Sequence, residues 1–318
     1  KQTSQFSIYA KSVAAVVLAG NNYAAEARDM VQSIKEYTVY KAPMGRYFDT
    51  PKALYSWFDY RIPSQVAAIE ALQSVTPADV QTVSEMKQWL LQSKRTQAWD
   101  TPVNSVNAVY AFFGGNCESL GASKPMAVLK LNGQTLVMPK ATAGMGYVKT
   151  AKTGEKMKTL SIEKQTDGTS WGAVYAQFVQ PTADVADAAE GMSVVREVLK
   201  NGKRIATDGE TLAVGDRITV RIVINADRDY DFVQLADRRA ACLEPLGQLS
   251  GYRDGCYCEP KDNATNYYFD RLSKGKHVVE TEYYVDRAGT YQTGTCTVQC
   301  AYSPEFGART KAVVLSVE

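Results

Sequence analysis

The apolar residues of this chain change their spacing once, near Gly121, and that change constrains the fold more than any single motif does. Before it the spacing is helical. Phe6, Tyr9, Val13, Val16 and Val17 form one stripe ahead of Gly20, a residue suited to end a helix, and Ala24, Ala27, Val31 and Ile34 form the next. Thr-Pro recurs at Thr50-Pro51, Thr76-Pro77 and Thr101-Pro102. Threonine suits the cap and proline the first helical position, so each pair predicts a helix start. Val80, Val83, Met86 and Leu90 after the second pair, and Val103, Val106, Tyr110 and Phe113 after the third, are the buried stripes expected of those helices. Repeating helix pairs of this length predict an α-solenoid or an α/α toroid, in which neighbours supply the core that no pair builds alone.

Beyond Gly121 the period shortens to that of strands. Ala127 to Val137 reads as a hairpin around Asn132-Gly133, Leu160 to Phe178 as one around Asp167-Gly168, and Val194 to Ile205 as one around Asn201-Gly202. Asn-Gly and Asp-Gly supply the positive φ angles of a tight hairpin turn. Pro181 to Gly191 interrupts the pattern and reads as a linker. Arg217 to Ile224, Tyr267 to Phe269, Val278 to Val285 and Cys296 to Tyr302 follow as strands, a density that suits an antiparallel sandwich.

At 318 residues and 45% hydrophobic content the chain is long enough for two or three domains with real cores. The net charge is only +2 and no region is strongly basic, which argues against nucleic acid as a partner. No apolar run approaches the roughly 20 residues that span a bilayer. Lys1 begins without Met or a signal-like segment, as expected of a mature protein or a fragment of a longer one.

Chemistry has few candidates. The one histidine, His277, precedes a predicted strand and has no companions for a triad or a zinc site, so a solvated strand-end role is expected. Asp49, Asp59, Glu70, Asp79, Glu85 and Asp100 do not cluster as a toroid enzyme would require, and read as solvated helix faces and caps. Trp57, Trp89, Trp99 and Trp171 read as core residues. No catalytic, cofactor-binding or metal-binding residue is assigned, no cofactor is expected, and the chain reads as a protein that is not an enzyme.

Five of the six cysteines fall in the last quarter. Cys256 and Cys258 share one strand face, as do Cys296 and Cys300, because side chains alternate with period two. These four are candidate disulfide cysteines, with free thiols and a zinc site as the alternatives, although the spacing is not that of a zinc ribbon. Cys242 opens Cys242-Leu-Glu-Pro245, one residue short of the Cys-x-Glu-Gln that closes an internal thioester. Proline in the fourth position removes the carbonyl that the thioester needs. As a nucleophile Cys242 has only Arg238 and Arg239 nearby in sequence to activate it.

Particular residues carry a family resemblance. Trp89-Leu-Leu-Gln-Ser-Lys-Arg-Thr-Gln-Ala-Trp99 running on to Val109-Tyr-Ala-Phe112 resembles the repeat of α-macroglobulin thioester domains. The resemblance continues through Trp171-Gly-Ala-Val-Tyr175 and Val194-Val-Arg196. It is densest in Asp227-Arg-Asp-Tyr-Asp-Phe-Val-Gln-Leu-Ala-Asp237, Tyr267-Tyr-Phe-Asp-Arg-Leu272 with Lys274-Gly275, and Ala301-Tyr-Ser-Pro-Glu-Phe306. That series is similar to the C-terminal macroglobulin domain of bacterial α-macroglobulins, the Bacteroides-type proteins above all.

The resemblance implies three parts. Residues 1–118 would be the closing part of a thioester-like α/α toroid, 122–181 the β segment that resumes after it, and 190–318 a receptor-binding-like β-sandwich. It also implies a non-enzymatic protease trap of the periplasm or cell surface, whose partners are proteases and whose thioester, where present, lies upstream of Lys1. The alternative is a cell-envelope structural or protein-interaction module with the same fold and no trapping activity.

Overall fold

The computed structural model describes residues 5–54, 60–99, 101–113, 127–139, 149–154, 156–164, 170–205 and 210–318. The chain divides into two compact units, Lys1–Leu91 with Trp99–Val174, and Gln92–Ala98 with Tyr175–Glu318. Helices come first and antiparallel sheets follow, as the change of period requires.

The first unit holds α1 (Ile8–Gly20), α2 (Ala24–Glu36), a hairpin of β1 (Thr38–Lys41) and β2 (Gly45–Phe48), then α3 (Pro51–Leu54), α4 (Arg61–Val75), α5 (Val80–Thr96) up to Leu91, and α6 (Pro102–Phe113). Its hub is α4, against which α1, α2, α3 and α6 all pack. Ile62, Val66, Ala68, Ile69, Ala71 and Leu72 bury most of the circumference of this helix. Two polar residues join that core by satisfying backbone carbonyls: Ser64 Oγ donates to Ala53 O at 2.8 Å and Gln65 Nε2 donates to Arg46 O at 2.8 Å. Gly45 is fixed by its surroundings, since at φ +84° a Cβ there would lie 2.3 Å from Glu85 O.

Two apolar stripes face the other way from expectation. In α1 the packed face is Ile8, Lys11, Ser12 and Ala15, whereas Phe6, Tyr9, Val13 and Val17 are 38%, 39%, 43% and 57% exposed. Alanine and valine occur all around this helix, so spacing alone does not select a face, and the small residues do because they let α2 and α4 approach. Lys11 is tolerated inside because its Nζ donates to Ser33 Oγ at 2.8 Å and lies 4.9 Å from the Tyr37 ring centre. In α6 the buried residues are Asn104, Ala108 and Ala111, while Val103, Val106 and Tyr110 are exposed. The second Thr-Pro does not start a helix either: Thr76 closes α4, and Asp79 Oδ1 accepts from Thr82 N at 3.3 Å to open α5 at Val80.

The same unit ends in a small sheet of order β4-β3-β5, made by β3 (Val128–Leu131), β4 (Gln134–Thr135) and β5 (Leu160–Glu163). Asn132 (φ +49°) and Gly133 (φ +82°) form its expected tight turn. The expected turn at Asp167-Gly168 lies outside the described residues, and residues 170–180 form no strand.

In the second unit a 3-10 turn over Thr182–Asp184 leads to β6 (Ala188–Glu190), β7 (Met192–Lys200), β8 (Lys203–Arg204), β9 (Thr211–Leu212), β10 (Arg217–Ala226) and β11 (Tyr230–Arg238). Then come β12 (Leu243–Pro245), β13 (Gly251–Arg253), β14 (Cys256–Pro260), β15 (Ala264–Leu272), β16 (Gly275–Val285), β17 (Gly289–Gln292), β18 (Cys296–Cys300), β19 (Ser303–Thr310) and β20 (Val314–Val317). A five-stranded sheet of order β12-β16-β10-β7-β8 and a seven-stranded sheet of order β13-β14-β15-β11-β18-β19-β6 form the sandwich. A third sheet, β17-β20-β9, is small and pairs β20 with β9 in parallel. Strict alternation of buried and open residues along β10 and β16 fixes which face is inside. The stretch read as a linker therefore ends as a strand: β6 completes the seven-stranded sheet by pairing with β19.

Candidate interaction surface

The motifs that carry the sequence resemblance meet where three turns of the sandwich come together. Asp227 to Asp229 link β10 to β11, Ser273 and Lys274 link β15 to β16, and Ala301 and Tyr302 link β18 to β19. Asp229 ties the first two together, accepting Lys274 N at 2.8 Å and pairing with Arg271 at 2.7 Å. Asp227 accepts from the Tyr230 hydroxyl at 2.8 Å, and its own N–H donates to Gly191 O at 3.0 Å. These carboxylates are committed to holding turns.

Beneath the turns lies a buried aromatic cluster. Tyr230 and Phe306 are both fully buried with ring centres 6.0 Å apart, and the Arg228 guanidinium lies 5.0 Å from the first ring and 4.7 Å from the second. Burial pushes the Tyr230 phenol well above its ordinary range, so it stays protonated and donating. Gly191 admits this cluster, because at φ +70° a Cβ would lie 2.2 Å from the Tyr230 hydroxyl oxygen.

Above it, two aromatic rings stay in solvent. Phe232 and Tyr302 meet edge to face at 5.4 Å and are 43% and 65% exposed. Phe232 has φ +57° between the paired positions Asp231 and Val233, with the register of β11 on β15 unchanged across it, and its carbonyl accepts Ala301 N at 2.8 Å. A bulky residue held in the left-handed region is strained, and such strain concentrates where a surface has a task. The arrangement offers an aromatic contact surface braced by the backbone bond from Ala301 to Phe232. No sequence signal marked the positive φ of Phe232, since a phenylalanine in Tyr230-Asp-Phe-Val233 reads as an ordinary strand residue.

The cysteines have a different place. All five described cysteines, Cys242, Cys256, Cys258, Cys296 and Cys300, are buried free thiols. The expected disulfides of Cys256, Cys258, Cys296 and Cys300 are thus not formed, and the register shows why the two pairs cannot meet. β15 and β11 lie between β14 and β18, a separation of about 14 Å at the usual strand spacing, well beyond disulfide reach. Burial raises the Cys242, Cys258, Cys296 and Cys300 thiols and pushes Cys256 up to about 11. Cys117 lies outside the described residues. Among the described residues no cluster of His, Cys, Asp or Glu is arranged to hold a metal ion.

The remaining candidates have structural roles. His277 is the third residue of β16 rather than ahead of it, with Nε2 2.7 Å from Ser273 O. Asp79 caps α5 and pairs with Lys35 at 2.6 Å, and Glu85 pairs with Arg46 at 2.7 Å. Trp89 is buried and stacked on Tyr47, whereas Trp171 is 42% exposed against Phe112. Asp59, Asp100 and Trp57 lie outside the described residues.

Comparison with known proteins shows what the sandwich is similar to. Residues 191–305 match the family model for the bacterial alpha-2-macroglobulin MG10 domain. The sandwich is therefore similar to that MG10 domain. Among solved structures, trypsin-activated alpha-2-macroglobulin from Escherichia coli matches with 12% identity and a TM-score of 0.55, over 98% of this chain and 24% of that one. Salmonella alpha-2-macroglobulin reacted with methylamine matches with 14% identity and a TM-score of 0.39, over 98% of this chain and 20% of that one. No curated protein sequence matches the chain. The chain spans about a quarter of the E. coli protein's length, and the helices followed by antiparallel sheets share that protein's fold. All three converging turns lie within the matched residues.

Proposed function

We propose that the chain is the C-terminal part of a non-enzymatic protease trap, outside the cytoplasm in the periplasm or on the cell surface. The observation that supports this most is the MG10 match over residues 191–305, joined to helices that share the fold of the E. coli protein. That protein is described as trypsin-activated, and a second E. coli structure as activated by porcine elastase, so proteases are the partners to try first. Within this reading the MG10 domain contributes a braced aromatic surface for docking, and no covalent chemistry of its own, since the chain contains no Cys-x-Glu-Gln.

The test uses the full-length protein that contains this chain. Incubation with trypsin or elastase should change its native-gel mobility and leave the protease retained on it. Methylamine treatment beforehand separates covalent from purely physical retention. If neither protease alters mobility or is retained, the trap reading fails and the cell-envelope structural or interaction module takes its place.

A further inference from the structure

On the solvent face of the seven-stranded sheet, one cross-strand row reads Tyr252, Tyr257, Tyr268, Gln234, Gln299 and Gly307. These six positions sit opposite one another on six successive strands, a straight track of about 24 Å at the usual strand spacing. The three tyrosines are in ring contact, with centres 5.2 Å and 6.5 Å apart. Tyr252 is 73% exposed and Tyr268 37% exposed. Two carboxylates at the margins orient the phenols: Tyr252 donates to Asp270 at 3.4 Å and Tyr268 to Glu259 at 3.3 Å, with Glu259 itself neutralised by Lys261 at 2.6 Å.

Composition selects the occupant. The row itself carries no charge and the carboxylates of Asp270 and Glu259 flank it, which disfavours a phosphate polymer or an acidic peptide. Tyrosine also anchors protein interfaces, but here neither Trp nor Arg accompanies it. Tyrosine rings offer π faces to C–H groups, and the amides of Gln234 and Gln299 offer both donors and acceptors. A chain of pyranose rings, with apolar faces and hydroxyls that donate and accept, matches both. At the far end a side chain on Gly307 is excluded, since its Cβ would lie 2.6 Å from Val298 O, which keeps the track open. We propose that this row binds a linear neutral glycan laid across the strands, an activity separate from protease trapping.

Isothermal titration of the 318-residue chain with a β-1,4-linked N-acetylglucosamine hexamer, an α-1,4-linked glucose hexamer and an oligolysine of similar length tests this. At least one neutral hexamer should bind, and Tyr257→Ala and Tyr268→Ala should each weaken it tenfold or more. Tyr252→Ala, at the most exposed ring, provides the same reading should either of the others lower the melting temperature. Tyr23→Ala, on a 55% exposed tyrosine of the helical unit, should leave binding unchanged. Failure of both hexamers to bind, binding of oligolysine alone, or full binding by folded tyrosine variants overturns the proposal.

Discussion

Arg196 Nη1 lies 3.0 Å from Asp237 Oδ1 between the two sheets of the sandwich, with both side chains almost fully enclosed at 5% and 3% exposure. The same guanidinium donates to Gly294 O at 3.0 Å, Thr293 Oγ1 at 2.7 Å and Lys311 O at 3.3 Å. One side chain of β7 thereby pins β11 and the segments flanking β18 and β19. Arg196→Leu leaves Asp237 buried without its partner, and chemical denaturation should show a loss of about 3–5 kcal/mol. Replacing Asp237 with Leu in the same chain should recover much of that loss.

The pH dependence of this variant has a definite sign. Burial raises the Asp237 carboxyl above its ordinary value even with Arg196 opposing it. A carboxyl raised in the folded state binds its proton more tightly there than when unfolded. Its ionisation therefore costs stability, a cost absent below the unfolded pKa and growing as pH rises through the folded one. Removing Arg196 raises the folded value further, so the deficit of Arg196→Leu against wild type should be widest near about pH 8 and narrow toward about pH 5. Denaturation midpoints across that range check it, and a deficit that widens on acidification rules it out.

Gly191→Ala tests the aromatic cluster. The new methyl group meets the Tyr230 hydroxyl oxygen and the Phe306 ring, and the backbone there has φ +70°. Backbone strain and overpacking together should cost about 2–4 kcal/mol. Thermal unfolding of the sandwich reads the loss directly.

At Phe232 the comparison of interest is between two truncations. Both remove the exposed ring, but only glycine adopts φ +57° freely. Phe232→Gly should therefore be more stable than Phe232→Ala by about 1 kcal/mol in denaturation experiments. Equal stabilities would mean that the backbone leaves the left-handed region once the ring is gone.

The thiols make a kinetic prediction. With Cys117 changed to Ser, the native chain should react negligibly with a thiol reagent at neutral pH, and the five remaining cysteines should react together on unfolding. Their enclosure and raised pKa values leave neither access nor thiolate.

The change of period near Gly121 was enough to divide helices from sheets, and Asn-Gly located two hairpins, because those signals depend on neighbouring residues alone. Burial in α1 and α6 was not legible in the same way. Valines at helical spacing mark an apolar face, yet the packed faces are the ones with Ala15, Ala108 and Ala111, chosen by how closely α4 can approach. The β1–β2 hairpin was missed because Tyr37 to Tyr47 has no alternating pattern. Cys256 and Cys258 were correctly placed on one face with period two, but their distance from Cys296 and Cys300 depends on strand order, which no local spacing encodes. The burial of Arg196 was not legible, since an arginine beside Glu197 looks like a solvent-facing position.

The parallel pairing of β20 with β9 has a mechanical side. Both backbone groups of Glu318 are bonded, its N–H donating to Leu212 O at 2.8 Å and its carbonyl oxygen accepting from Val214 N at 2.9 Å. In a parallel pair, tension applied through the end of β20 and the start of β9 slides the strands lengthwise, so the bonds between them share the load and break together. Pulled in that way, the sandwich resists as a clasp under shear rather than opening as a zip.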